Sequence, residues 1–239
     1  MSKKPPTKKP PTKKPPTKKL YGSGVAHPAV FSEAILPVVV QLLRPEHKRV
    51  LDPFAGIGRV HSIRELVEWE MTTVGIELEP EWADLHPDTR VGSALDLPFE
   101  DGSFDAVVTS PTYGNRLADS HVAKDGSVRR SYTHDLGRTL SEGNSGSMQW
   151  GSAYRDFHRA AWLETKRVLR PGGRLVLNIS DHIRRGKRQY VSSWHTTALI
   201  AIGFELVDAA RVETTRLRSG ANSSARTPSE MVLAFDRVD

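Results

Sequence analysis

The 239-residue sequence contains no cysteine, which excludes disulfide frameworks, thiolate metal sites and every mechanism built on a sulfur nucleophile. No stretch approaches the roughly 18 apolar residues of a membrane span, and the N-terminus lacks the apolar segment of a secretory signal. A soluble, cytoplasmic protein with no membrane partner is expected. Metal-ligand patterns are missing too: the spacings of His27, His121, His134 and His182 fit no zinc or facial-triad arrangement, so no metal is assigned. Acidic side chains are absent from residues 3–19, where the pentad KKPPT occurs three times and brings eight Lys and six Pro. Proline at that density blocks helices and sheet ladders, so residues 1–20 read as a disordered Lys/Pro-rich arm. The formal charge of +6 belongs to this arm, since the rest of the chain carries 26 basic against 28 acidic residues. Such an arm tracks nucleic-acid phosphates in a salt-dependent way or serves as a solubilising linker, and the repeat alone fits both.

Beyond the arm, short β-branched runs alternate with longer amphipathic ones, the pattern of a parallel sheet covered by helices. Strands are expected near 49–54, 73–78, 89–93, 104–109, 173–180, 205–214 and 230–237, with helices over about 29–43, 59–70, 79–85, 151–169 and 191–202. The last two strands have no helix between them and should form an antiparallel hairpin. The result is an α/β, Rossmann-like, mostly parallel seven-stranded sheet with its ligand at the carboxyl ends of the strands. Residues 114–150 are rich in Ser, Gly, Asp, Asn and Arg with little periodicity. A connection that long in a compact α/β domain is more often functional than accidental, and ordering on nucleic-acid binding is expected for it.

Two sites stand out. Asp52 closes the first strand, and Pro53, Phe54, Ala55, Gly56, Ile57 and Gly58 lead into a helix. Glycines in such a turn let the backbone approach a ligand closely. A dinucleotide fingerprint would need a third small residue where His61 stands, which argues against NAD. An acid at the strand end suits a cationic moiety such as an ammonium group, while Glu77 at the end of the second strand can accept both ribose hydroxyls. Asp96, past the third strand, is placed to accept an adenine amino group. Singly, these are also the marks of a tight turn, a helix cap or a solvated acid; together they imply an adenosine with a charged amino-acid arm. The second site is Ser110, Pro111, Thr112 and Tyr113, directly after the fourth strand. Oxygens at Ser110 and Pro111 can grip one planar amine while Tyr113 stacks beneath it; taken alone, the same residues fit an ordinary proline turn.

The segments HPAVFSE (27–33), LDPFAGIG (51–58), GIELEP (75–80), SPTYG (110–114) and VLRPGGRLVLN (168–178) together resemble the S-adenosylmethionine-dependent DNA amino methyltransferases, which modify N6 of adenine or N4 of cytosine. The resemblance covers about residues 22–238 and implies a class I methyltransferase domain over 21–239, with 114–150 as a substrate loop. It implies S-adenosyl-L-methionine as cofactor, bound by His27, Asp52, Pro53, Phe54, Gly56, Gly58, Glu77 and Asp96. Ser110, Pro111, Thr112 and Tyr113 would then hold a flipped base for in-line transfer. Thr112 stands where the family has a second proline, so less local rigidity is expected there. Methylation at cytosine C5 normally proceeds through a cysteine adduct, which this chain cannot form.

DNA is the expected partner, with RNA also possible. Candidate nucleic-acid contacts are Asn115 and Arg116 after the tetrapeptide, and Arg184, Arg185, Lys187 and Arg188 in a basic loop that either clamps phosphates or is simply solvated. Three other functions fit the same residues: an RNA base or protein amide methyltransferase, a non-catalytic nucleic-acid binder, and a small-molecule methyltransferase.

Overall fold

A computed structural model describes residues 27, 32, 34–115, 121–122, 128–129, 131–184, 186–214 and 229–238. In chain order the described elements are α1 (Leu36–Leu42), β1 (Arg49–Asp52), β2 (Thr72–Glu77), α2 (Pro80–Ala83), β3 (Thr89–Val91), β4 (Phe104–Thr109), the pair β5 (His121–Val122) and β6 (Val128–Arg129), and α3 (Tyr132–Leu136). They continue with α4 (Ser152–Val168), β7 (Leu169–Ile179), the pair β8 (His182–Arg184) and β9 (Lys187–Gln189), α5 (Val191–Ala201), β10 (Phe204–Glu213) and β11 (Ser229–Arg237).

Seven strands form one sheet in the order β10-β11-β7-β4-β1-β2-β3. The pairs β1 with β2, β1 with β4, β2 with β3 and β4 with β7 are parallel. Only β11 runs against its neighbours, β7 on one side and β10 on the other. The period-2 alternation of a strand sends adjacent residues to opposite faces, and here each face has its own core. Leu51, Val107, Leu175 and Leu177 pack on one side with Trp162 of α4 and Leu199 of α5. Val50, Ala106, Val108 and Val176 pack on the other with Leu36, Val39 and Leu42 of α1. A sheet covered on both faces needs the near-continuous apolar runs that these strands show.

Two helices differ from the sequence expectation. Helix α1 starts only at Leu36, where Pro37 occupies its first turn with a φ already suited to it; residues 28–31 and 33 lie outside the described ones. The segment expected as a helix over 59–70 is a 3₁₀ helix, Arg59–Glu65. It follows left-handed Gly58 (φ 79°) with no side-chain cap, and its His61 is drawn to Thr73 and Thr89 at 2.7 and 2.9 Å.

Residues 131–150, within the expected substrate loop, carry α3 and a following 3₁₀ turn. Ser131 caps α3 by accepting from the His134 amide, Gly137 ends it in the left-handed conformation, and Asn144 caps a following 3₁₀ turn. The arm of residues 1–20 lies outside the described residues.

Candidate functional site

A cavity of about 430 Å³ opens at the carboxyl ends of β1, β2 and β4, where an open α/β sheet binds its ligands. One half is built by the turn after β1. Pro53, Phe54 and Gly56 line it, with His27 opposite; the His27 ring meets Trp82 edge-on at 4.4 Å between centroids. A Cβ on Gly56 would lie 3.4 Å from His27 Nε2, in ordinary contact; what calls for glycine here is the left-handed backbone, φ 52°. Glu77 forms the floor. Its Oε2 accepts from the Gly56 amide at 2.8 Å and its Oε1 from the Glu79 amide at 3.0 Å. Two carboxylate oxygens have about four acceptor positions between them, so capacity remains for a vicinal diol. Burial pushes the Glu77 carboxyl above its ordinary value.

The other half is the tetrapeptide after β4. Ser110, Pro111, Thr112 and Tyr113 all line the cavity. Tyr113 Oη donates to Glu230 Oε2 at 3.0 Å and lies 3.0 Å from Ser110 Oγ. Asn178 Nδ2 approaches Ser110 Oγ and Tyr113 Oη, both at 3.1 Å, and Glu230 Oε2 at 2.7 Å.

Thr112, the departure from proline, is pinned by hydrogen bonds on both sides. Its hydroxyl donates to Ser145 Oγ at 2.9 Å, and its carbonyl accepts from Tyr154 Oη at 2.6 Å. Burial holds His195 well below its ordinary pKa, so its ring is neutral. Its Nδ1 accepts from Trp162 Nε1 at 3.0 Å, which leaves the proton on Nε2 to donate to Tyr154 Oη at 2.9 Å. A directed chain from His195 through Tyr154 thus fixes the Thr112 carbonyl. Tyr154→Phe leaves both the Thr112 carbonyl and His195 Nε2 unsatisfied, and a buried group in that state costs about 1–3 kcal/mol. Urea unfolding should show a loss of this size.

Not every expected residue reaches the cavity. Asp52, Gly58 and Asp96 lie outside its lining, and Ser93 and Ala94 stand there instead of Asp96, which is exposed. Gly58 is a packing glycine: a Cβ on it would come within 2.8 Å of His86. Asp52 faces inward. Its Oδ1 accepts from the Phe54 amide at 2.9 Å and from Thr109 Oγ1 at 2.7 Å, while Oδ2 is buried without a partner among the described residues. Burial pushes its carboxyl up to about 7. Relative to an unfolded carboxyl at 3.8, stability is full below pH 4 and declines as pH rises toward 7. Asp52→Asn should therefore gain on the parent between pH 5 and pH 8, by about 1–3 kcal/mol at the upper end. Urea unfolding of both proteins at the two pH values measures the difference, in which buried, neutral His47, His61 and His158 cancel.

The basic loop is a short hairpin, β8 with β9. Arg184 donates to the Trp150 carbonyl at 3.1 Å and to Gln149, and Arg188 pairs with Asp181 at 2.9 Å. Both cations are thus tied to the protein, and Lys187 is exposed. Asn115 lines the cavity mouth, and Arg116 and Arg185 lie outside the described residues. His61, His86 and Asp88 approach one another closely enough to share an ion. However, both His61 nitrogens engage threonine hydroxyls and its ring stacks on His86 at 3.8 Å, so neither nitrogen is directed at a common ion.

The sequence reading missed Glu79. Fully buried, it accepts from Arg138 at 2.8 Å, from the Ser141 amide and hydroxyl at 2.8 and 2.9 Å, and from Asn144 Nδ2 at 2.7 Å. It fastens segment 131–150 over the cavity, which Tyr132, Asn144 and Ser145 help to line.

No family model matches the sequence, and no curated protein matches it. Solved structures do match its fold. A geranyl diphosphate methyltransferase in complex with S-adenosylmethionine aligns at 16% identity with a TM-score of 0.54, over 86% of this chain and 85% of that one. A 1,6-didemethyltoxoflavin-N1-methyltransferase of Burkholderia thailandensis with bound S-adenosylhomocysteine aligns at 17% identity and 0.50, over 87% and 79%. An S-adenosylmethionine-dependent methyltransferase of Methanosarcina mazei aligns at 15% and 0.51, over 84% and 97%. The fold is that of the Rossmann-like class I methyltransferases. Such likeness speaks to architecture, and function has to be argued from the site.

Proposed function

We propose that this protein is an S-adenosylmethionine-dependent methyltransferase acting on an exocyclic amino group of a DNA base, N4 of cytosine or N6 of adenine. The observation that carries this reading is one cavity with two chemically different ends. A buried carboxylate and the glycine turn after β1 lie at one end, and the Ser110–Tyr113 tetrapeptide with its hydroxyls lies at the other.

The first end fits the cofactor. Glu77 keeps acceptor capacity for a ribose diol, Pro53, Phe54 and Gly56 of the turn after β1 line the same end, and Ser93 and Ala94 offer a small-residue wall for the base edge. When bound, the cofactor supplies an electrophilic methyl group on a sulfonium. The chain's own work is at the second end. Ser110 Oγ and the Pro111 carbonyl are acceptors for the two N–H bonds of a planar amine, which turns the nitrogen lone pair out of the base plane. Tyr113 presents an aromatic face for stacking, worth about 1–3 kcal/mol for a base. The anchors on Thr112 hold these groups in place, so catalysis is mainly positioning. The arm of residues 1–20 adds phosphate affinity that falls with salt, and Asn115, Asn144 and Ser145 contribute to the cavity lining beside the tetrapeptide.

The test is incubation with labelled S-adenosylmethionine and either unmethylated genomic DNA or total RNA, followed by nucleoside analysis. N4-methylcytosine or N6-methyladenine from DNA is the expected product. Label in RNA alone would move the substrate to RNA, and none in either, with cofactor binding intact, would point to a non-catalytic binder or another acceptor.

A further inference from the structure

We propose that Glu230 is the terminal proton acceptor of the methyl-transfer reaction, reached from the acceptor nitrogen through the hydroxyls of Ser110 and Tyr113. The assignment rests on the reading above, in which Ser110 grips the amine.

Glu230 lies on β11, opposite Val212 of β10, 117 residues from Tyr113 in the chain, and lines the same cavity. Of the two carboxylates in the described lining, Glu77, at the end of β2, is held by the Gly56 and Glu79 amides, and Glu230 lies at the tetrapeptide. The direction of the hydrogen bonds follows from donor counting. An ionised carboxylate only accepts, so the single proton of Tyr113 Oη is committed to Glu230 Oε2 at 3.0 Å. The contact of 3.0 Å between the two hydroxyls must then run from Ser110 to Tyr113. Ser110 Oγ has two lone pairs. Asn178 Nδ2 at 3.1 Å takes at most one, which leaves the other for an N–H of the amine. Three donors therefore point the same way, from substrate nitrogen to Ser110, to Tyr113, to Glu230.

Amine alkylation needs such an exit. As the N–CH₃ bond forms and the sulfonium C–S bond breaks, the nitrogen acquires positive charge and must lose one proton. The Pro111 carbonyl and the Ser110 hydroxyl are too weakly basic to keep it. In the relay the N–H proton passes to Ser110 Oγ, the Ser110 proton to Tyr113 Oη, and the Tyr113 proton to Glu230 Oε2. Both hydroxyls end as they began, the methylated nitrogen is neutral, and Glu230 carries the proton until product leaves and solvent takes it. Asn178, 2.7 Å from Glu230 Oε2 and 3.1 Å from both hydroxyls, fixes the three oxygens relative to one another.

The experiment compares the full chain with Glu230→Gln, Glu230→Asp and Tyr113→Phe. Single-turnover methyl transfer to unmethylated DNA is measured in H₂O and D₂O, with calorimetric binding of S-adenosylhomocysteine in parallel. Loss of a general base costs about 10²–10⁴-fold. Glu230→Gln should therefore lose at least about 10²-fold in kcat, while KM for DNA and the affinity for S-adenosylhomocysteine stay at parental values. Glu230→Asp should recover part of the rate, and the parent's normal solvent isotope effect should disappear in Tyr113→Phe, which keeps the aromatic face. A Glu230→Gln variant with parental rate and isotope effect on a methylated base would overturn the relay and leave the functional reading standing. A parent that binds S-adenosylhomocysteine and methylates no base would overturn that reading and this assignment with it.

Discussion

Glu79→Ala is expected to loosen segment 131–150, although Glu79 itself lies behind the cavity lining. The carboxylate is fully buried and receives four hydrogen bonds from Arg138, Ser141 and Asn144. Removing it strands those donors. Breaking a buried ion pair costs about 3–5 kcal/mol, and because Arg138 is 37% exposed and also pairs with Glu81, about 2–4 kcal/mol is the appropriate figure here. The loss is local before it is global, since the sheet does not depend on Glu79. Hydrogen exchange should show fast amides over 131–147 with the protection of β4 and β7 unchanged. Ser145, which anchors Thr112 at 2.9 Å, belongs to this segment, so methyl transfer should fall as well. Uniform exchange in the variant and parent would show that the four bonds do not hold the segment down.

Glu77→Ala carries the largest expected effect on binding. Hydrogen bonds to a charged group contribute about 1.5–3 kcal/mol each, so losing both acceptors for a ribose diol should weaken S-adenosylhomocysteine binding by roughly 10²–10⁴-fold. Titration calorimetry reads this directly, with no need for an acceptor substrate. Glu77→Gln retains one acceptor and should fall between the two. Because burial holds the Glu77 carboxyl above its ordinary value, cofactor affinity in the parent should fall on acidification earlier than it would for an exposed carboxylate. Unchanged affinity in Glu77→Ala would remove this end of the cavity from the cofactor site.

The sheet was legible in the sequence because it rests on local patterning. VLD, TVGIE and AVVT are short β-branched or apolar runs ending in a polar residue, the mark of strands in a covered sheet, and all seven expected strands appear in the sheet. The caps of α3 were legible too and went unread: Ser131 stands three residues before His134, and Gly137 follows the last turn. Glu79 was not legible, since its partners are 59 to 65 residues away along the chain and nothing in GIELEP marks this acid as a clamp. The same holds for Asp52. A strand-end acid reads as a ligand group, and only the fold shows its Oδ1 taken up by Phe54 and Thr109. At the amine end, Asn178 had a signal, a polar residue inside the apolar run LVLNI. Glu230 had none, because what gives it a role is the pairing of β11 beside β7.

That pairing also orders events during synthesis. Strand β11 is inserted between β7 and β10, both of which precede it in the chain. Until it emerges, β7 presents an unpaired edge, and an open edge is a template for pairing with another chain. Enclosure of the sheet and delivery of Glu230 to the tetrapeptide are therefore one step. A ribosome-bound chain stalled before residue 229 would expose the β7 edge and lack Glu230 at the tetrapeptide.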